Sequence, residues 1–149
     1  MVSTESKFKL LSNSFKNGDQ IPKKYTGQGQ DFSPELHWEN PPTKTKSFAL
    51  IVDDPDAPNG LFTHWLVKDI PVSIKEIKEN SAPGVEVENS WKVTKWKGPM
   101  PPSGEHRYFF KLFALDTDKL QAKNLKDFYA EVKKHKIGEA DFVGKYKKH

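Results

Sequence analysis

The stretch HRYFFKLFALD, residues 106–116, decides the fold class. At a period of two it puts His106, Tyr108, Phe110, Leu112 and Ala114 on one side and Arg107, Phe109, Lys111, Phe113 and Leu115 on the other. Both sides are largely apolar, which predicts a central strand covered on each face rather than one half-open to water. Working outward, FALIVDD (residues 48–54) and LFTHWLVKDI (residues 61–70) have the same aromatic and β-branched character. Eleven prolines and nine glycines, most of them in the first two-thirds of the chain, cut it into short pieces of this kind. The expectation is a mainly β protein.

The character changes after residue 118. From Lys119 to Ile137 there is neither glycine nor proline, and Leu120, Leu125, Phe128, Tyr129 and Val132 fall at helical spacings. An amphipathic helix within 119–137 is predicted, with Gly138 as its stop and Lys133, Lys134, His135 and Lys136 complementing the dipole of its last turn. No repeat or linker divides the chain, so residues 1–149 are expected to form a single domain.

Composition narrows the function classes. There is no cysteine, which excludes disulfides, thiolate metal sites and a cysteine nucleophile. No apolar run reaches the roughly 18 residues of a membrane span, and the N-terminal residues lack an apolar export segment, so a cytoplasmic protein is expected. The net charge of +4 is local: residues 119–149 hold nine lysines against four acids, leaving the rest at −1. Such lysines can give weak affinity for anionic surfaces, but with one arginine and no reading motif no nucleic-acid partner is expected.

Three stretches bring ionisable groups to the ends of apolar strands. In DDPDAP (residues 53–58), Pro55 pushes Asp54 into extended backbone and period two puts Asp54 and Asp56 on the same side. The same residues suit an ordinary turn. In FTHWLV (residues 62–67), His64 alternates onto the side of Phe62 and Leu66, as a ligand-binding group or as a satisfied core histidine. In GPMPPSGEHRYFF (residues 98–110), a proline-rich loop delivers His106 and Tyr108 onto one face of the next strand. That loop also suits a rigid hairpin connection, which leaves both polar side chains without a purpose.

Taken in order, DPDAP, THW and GPMPPSGEHRYFFKLFALD resemble the signature of the phosphatidylethanolamine-binding protein family. YTGQGQDFSPELHW (residues 25–38) is similar to its N-terminal segment, and KKHKIGEADFVGKY (residues 133–146) to the end of its prokaryotic, Raf-kinase-inhibitor-like branch. The resemblance implies a sandwich of two antiparallel sheets with Greek-key connections, small peripheral helices, a C-terminal helix and a pocket at one end. It implies that Asp54, Asp56, His64, Pro101, Pro102, His106 and Tyr108 line that pocket, and that the Ala57–Pro58 bond is cis. The chain departs from the family pattern at NSWKVTKWKGPMPP: Met100 stands where the branch has a cysteine, and Trp91, Trp96 and Lys97 replace small residues, narrowing the mouth or adding a stacking surface.

The implied function is a binding module for a small anion or phosphorylated headgroup, without cofactor. Two histidines would offset the aspartates, which in turn would raise the histidine pKa above about 6.5. There is no evident hydroxyl nucleophile paired with a base, so no enzyme is expected. Inhibition of a protein kinase or protease through the pocket rim is the alternative. A hydrolase or metal site using Asp54, Asp56, His64 and His106 is a third reading, lacking tight ligand spacing.

Overall fold

The structure, a computed structural model, describes residues 7–149. Among the described residues, eight strands form two antiparallel sheets. Strands β1 (Lys9–Leu11), β2 (Leu36–Glu39) and β5 (Glu76–Ile77) make a small sheet in the order β1-β2-β5. Strands β3 (Ser47–Asp54), β4 (Phe62–Pro71), β6 (Val85–Val87), β7 (Glu105–Leu115) and β8 (Lys136–Lys147) make the large one, in the order β6-β4-β3-β7-β8. A short 3-10 turn spans Lys23–Tyr25, and helix α1 covers Leu125–His135.

Strand β7 lies between β3 and β8, as its two apolar faces predict. One face carries Tyr108, Phe110, Leu112 and Ala114 into a core shared with Leu10, Leu36, Trp38 and Ile77 of the small sheet. The other carries Phe113 and Leu115 into a second core beneath α1, with Ala49, Ile51, Leu66, Phe128 and Val132. The large sheet is thus sandwiched between a sheet and a helix. Each face needs a cover because each is apolar.

Two departures from simple periodicity matter. Opposite β4, Val52 pairs with Trp65 but Asp53 pairs with Thr63, so His64 is the extra residue of a β-bulge. The bulge breaks the expected alternation: Leu66 faces α1, whereas Trp65 and the neighbouring His64 face the side of Tyr108. The helix is also shorter than its apolar pattern. Asn124 caps it by accepting the Asp127 N–H at 2.8 Å, leaving Leu120 and Ala122 buried from the preceding coil.

Gly138 does not stop the helix. The chain turns into β8 directly at Lys136, and Gly138 sits inside that strand opposite Ala114. A Cβ there would meet Pro42 Cγ at 2.8 Å, so the position requires glycine for close approach. No helix among the described residues is long and apolar enough to cross a membrane.

Candidate functional site

A cavity of about 430 Å³ opens where the end of β3, the start of β4 and the loop before β7 converge. Asp54, His64, Pro101, Pro102, His106 and Tyr108 all line it. Its walls are otherwise mainly apolar, with Phe62, Trp91 and Met100 prominent, and no lysine or arginine lines it. A broader groove of about 750 Å³ runs beside β5, but its histidine, His37, is already paired with Glu35 at 2.8 Å.

The Asp54 carboxylate and both histidines of the cavity are each held by a specific partner. Asp54 is buried: its Oδ1 accepts the Asp56 N–H at 2.7 Å, and its Oδ2 accepts His106 Nδ1–H at 2.6 Å. Because a carboxylate only accepts, the proton is on Nδ1 and the tautomer of His106 is set. His64 is fixed in the same sense by a backbone group, its Nδ1–H donating to the Lys97 carbonyl at 2.6 Å. Burial is the dominant influence on its titration and holds the His64 pKa below the ordinary histidine value, against the raising effects of that hydrogen bond and of Asp54. The expected elevation by the aspartates therefore fails at His64. Tyr108 packs edge-on to His64 at 5.3 Å and stacks on His106 at 6.4 Å. Burial, followed by the Asp54 and Asp56 charges, pushes its hydroxyl pKa up, so it remains a protonated donor.

Asp56 is not in the cavity. The Asx turn made by Asp54 reverses the chain, and Asp56 lands beside Arg107, on the opposite face of β7 from His106. Its Oδ2 accepts the Arg107 backbone N–H and Nε–H, both at 2.9 Å, and its Oδ1 accepts Nη2–H at 2.8 Å. The guanidinium lowers the Asp56 pKa to about 2. The Ala57–Pro58 bond is trans, contrary to the expectation. Trp96 is not at the mouth either; it is buried, stacked on Phe110 and edge-on to Trp65. Trp91 and Met100 do line the mouth, and Lys97 places its ammonium over the Trp91 ring at 5.0 Å.

Two residues that shape the site had no motif to announce them. Asn89, buried to 2% exposure, donates to the carbonyls of His64 and Lys95 and accepts the N–H groups of Trp91 and Val93. Asp31, with a positive φ of 58°, accepts from Gly98 N–H and Trp96 Nε1–H and so fixes the segment whose carbonyl orients His64. A lone asparagine and a lone aspartate in loop sequence look like turn residues. Only tertiary contacts distinguish them.

The sequence profile described as Phosphatidylethanolamine-binding protein matches residues 11–147. The chain belongs to the phosphatidylethanolamine-binding protein family. Among curated relatives of this family, the UPF0098 protein of Aquifex aeolicus is 43% identical over 150 residues, covering 93% of this chain and 88% of that protein. The UPF0098 protein of Methanothermobacter thermautotrophicus is 38% identical, covering 93% and 98%. Among solved structures, a phosphatidylethanolamine-binding protein homologue from Chlamydia trachomatis, CT736, superposes with a TM-score of 0.90 at 32% identity, covering 96% of this chain and 99% of that one. YbcL of E. coli, described as a member of the mammalian family, gives 0.90 at 29% identity, covering 97% and 100%. Both solved structures therefore share this chain's fold of two sheets and a helix late in the chain. Among the described residues, no group of three or more acidic or histidine side chains is arranged to hold a metal ion.

Proposed function

We propose that this member of the phosphatidylethanolamine-binding protein family is a binding protein that holds a small phosphate-like anion or phosphorylated headgroup in the His64–His106–Tyr108 cavity. One observation carries the reading. The Nε2 atoms of His64 and His106 and the hydroxyl of Tyr108 have no hydrogen-bond partner among the described residues, yet none is sealed off; the sealed, unpartnered side-chain atoms are Trp38 Nε1 and Asp53 Oδ1. All three therefore meet the cavity they line. Three nearly buried polar groups open to one apolar-walled space, and so satisfied only by what enters it, are the arrangement of a small-ligand site. A tetrahedral oxyanion has enough oxygens for all three, and a proton taken up at His106 Nε2, on a ring already tied to Asp54, would supply the countercharge. A headgroup ammonium would lie toward Phe62, since Lys97 already covers the Trp91 ring.

Binding without turnover fits the absence of an activated nucleophile: the cavity's serine, Ser90, uses its Oγ to accept the Thr63 N–H at 2.9 Å. The reading is tested by calorimetric titration of phosphoethanolamine into wild type and His106→Ala. The expected result is at least about tenfold weaker binding by the variant, from loss of a charge-assisted hydrogen bond, measured at a temperature where its melting curve shows it folded, since Asp54 also loses a buried partner. Equal affinities would sink the assignment.

A cytosolic setting belongs to the same reading, since a cysteine-free chain is at home in a reducing compartment; recovery from an exported fraction would contradict it. Exposed apolar groups around the mouth, Leu61 at 53%, Trp91 at 40% and Met100 at 38%, favour a second reading in which a protein partner, such as a kinase or protease, covers the rim. Capture of such a partner by wild type and equally by Trp91→Ala would count against it.

A further inference from the structure

The two cavity histidines differ in what they can offer a ligand. His106 is tied to a carboxylate, so protonation of its Nε2 leaves the existing hydrogen bond intact and gains an ion pair with Asp54. His64 is tied to a neutral peptide carbonyl and packed between the rings of Phe62 and Tyr108, each with its centroid 5.3 Å away. The carbonyl of Lys97 can only accept, so the single proton of neutral His64 is on Nδ1, and Nε2 presents a lone pair to the cavity. A neutral His64 is thus a fixed acceptor, whereas the Tyr108 hydroxyl is a rotatable donor.

An oxyanion brings only lone pairs unless it retains a proton. Set against a fixed acceptor, a bare oxygen is repelled, while an O–H makes a hydrogen bond. We propose that His64 reads the proton on a tetrahedral oxyanion, so that the cavity takes a phosphomonoester in its hydrogen-bearing monoanionic form and discriminates against the isosteric sulfate monoester, which has no such proton. The inference rests on the anion-binding reading above and specifies the ligand's protonation state. Around His64, the charged and titratable groups are the carboxylates of Asp54, Asp31 and Asp53, with Tyr108 against its ring and His106 beyond. The three carboxylates favour a protonated imidazole, whereas burial, the larger influence, and the neutral Lys97 carbonyl at Nδ1 favour the accepting state.

The experiment compares phosphoethanolamine with ethanolamine O-sulfate, titrated into the full chain by calorimetry near pH 6, where about half of a phosphomonoester retains its second proton. The monoanions match in shape and charge and differ by that proton. The expected result is at least about tenfold tighter binding of the phosphate ester, because a site built to pair with a hydroxyl rejects an analogue lacking it. In His64→Gln, whose amide can donate as well as accept, the ratio of the two affinities should fall toward one, whatever the change in either affinity alone. Equal affinity of wild type for the two esters overturns the proposal. Failure of both esters to bind overturns the anion site itself, and the proposal with it.

Discussion

Asn89→Asp is the substitution most informative about how the cavity is held together. The side chain is buried and makes four contacts: Nδ2 donates to the His64 carbonyl at 2.8 Å and the Lys95 carbonyl at 3.0 Å, and Oδ1 accepts from Trp91 N–H at 2.8 Å and Val93 N–H at 3.3 Å. Asn89→Ala removes all four. The His64 carbonyl then loses a buried donor, while groups in the more exposed 91–95 loop can partly recover water. At about 1 kcal/mol for each hydrogen bond left unmade, the expected loss is about 2–3 kcal/mol. Asn89→Asp has the same shape and keeps the acceptor oxygen, yet turns the donor into a second carboxylate oxygen facing two carbonyls. An uncompensated buried charge of this kind costs about 3–5 kcal/mol, so the near-isosteric change should be worse than truncation. Urea denaturation followed by tryptophan fluorescence gives both values from the midpoint and slope. An aspartate variant as stable as wild type, or more stable than the alanine variant, would refute the donor role and with it the claim that Asn89 ties the bulge at His64 to the rim.

Two further outcomes follow from the packing and the ion pairs. Phe128→Ala, which empties a fully buried site between α1 and the sheet, should cost about 3–5 kcal/mol in the same assay; a loss within about 0.5 kcal/mol would mean that the helix presents another face. Asp56 has a folded-state pKa lowered to about 2 from the ordinary 3.8, so its ion pair stabilises the fold fully above the ordinary value and ceases to do so as pH falls through about 2. In Arg107→Ala the Asp56 carboxyl, followed by NMR, should titrate near its ordinary value, and the stability difference from wild type should vanish in strong acid. An unchanged Asp56 titration would remove Arg107 as the cause.

The sequence made the central sheet legible because β3, β4 and β7 are long and apolar, and period two is unambiguous over such lengths. Strand β8 was hidden for a physical reason: two of its positions next to neighbouring elements are glycines. Gly144, opposite Tyr108, leaves room that a Cβ would fill at 2.5 Å from Ile21 Cγ1, so the alternation is present in space but absent from any hydropathy pattern. The same limit applied to the site. His106 and Tyr108 sit on regular strand and share a face as their spacing predicts, whereas the orientation of His64 depends on a bulge and the position of Asp56 on an Asx turn. Both are backbone events outside period two: a long-range hydrogen bond from Asn89 holds the carbonyl at the bulge, and a local one from the Asp56 N–H to Asp54 makes the turn.

Those hydrogen bonds also account for how the cavity tolerates open polar groups. An unpaired buried donor or acceptor normally reorients until it finds a partner, and a ring that can flip is a poor recognition element. Here each histidine is tied at Nδ1 before any ligand arrives: His106 by Asp54, whose other oxygen is held by the Asp56 N–H, and His64 by the Lys97 carbonyl, whose neighbours Trp96 and Gly98 are held by Asp31. Gly98 is required for that arrangement, since a Cβ would stand 2.3 Å from the Tyr25 carbonyl oxygen. The cost of orienting the two rings is therefore met during folding, and a ligand that pairs with both Nε2 atoms does not bear it again. Asp54 and Asp31 orient the two histidines rather than line up with their open Nε2 atoms, and each can do so because a main-chain N–H has already fixed its carboxylate.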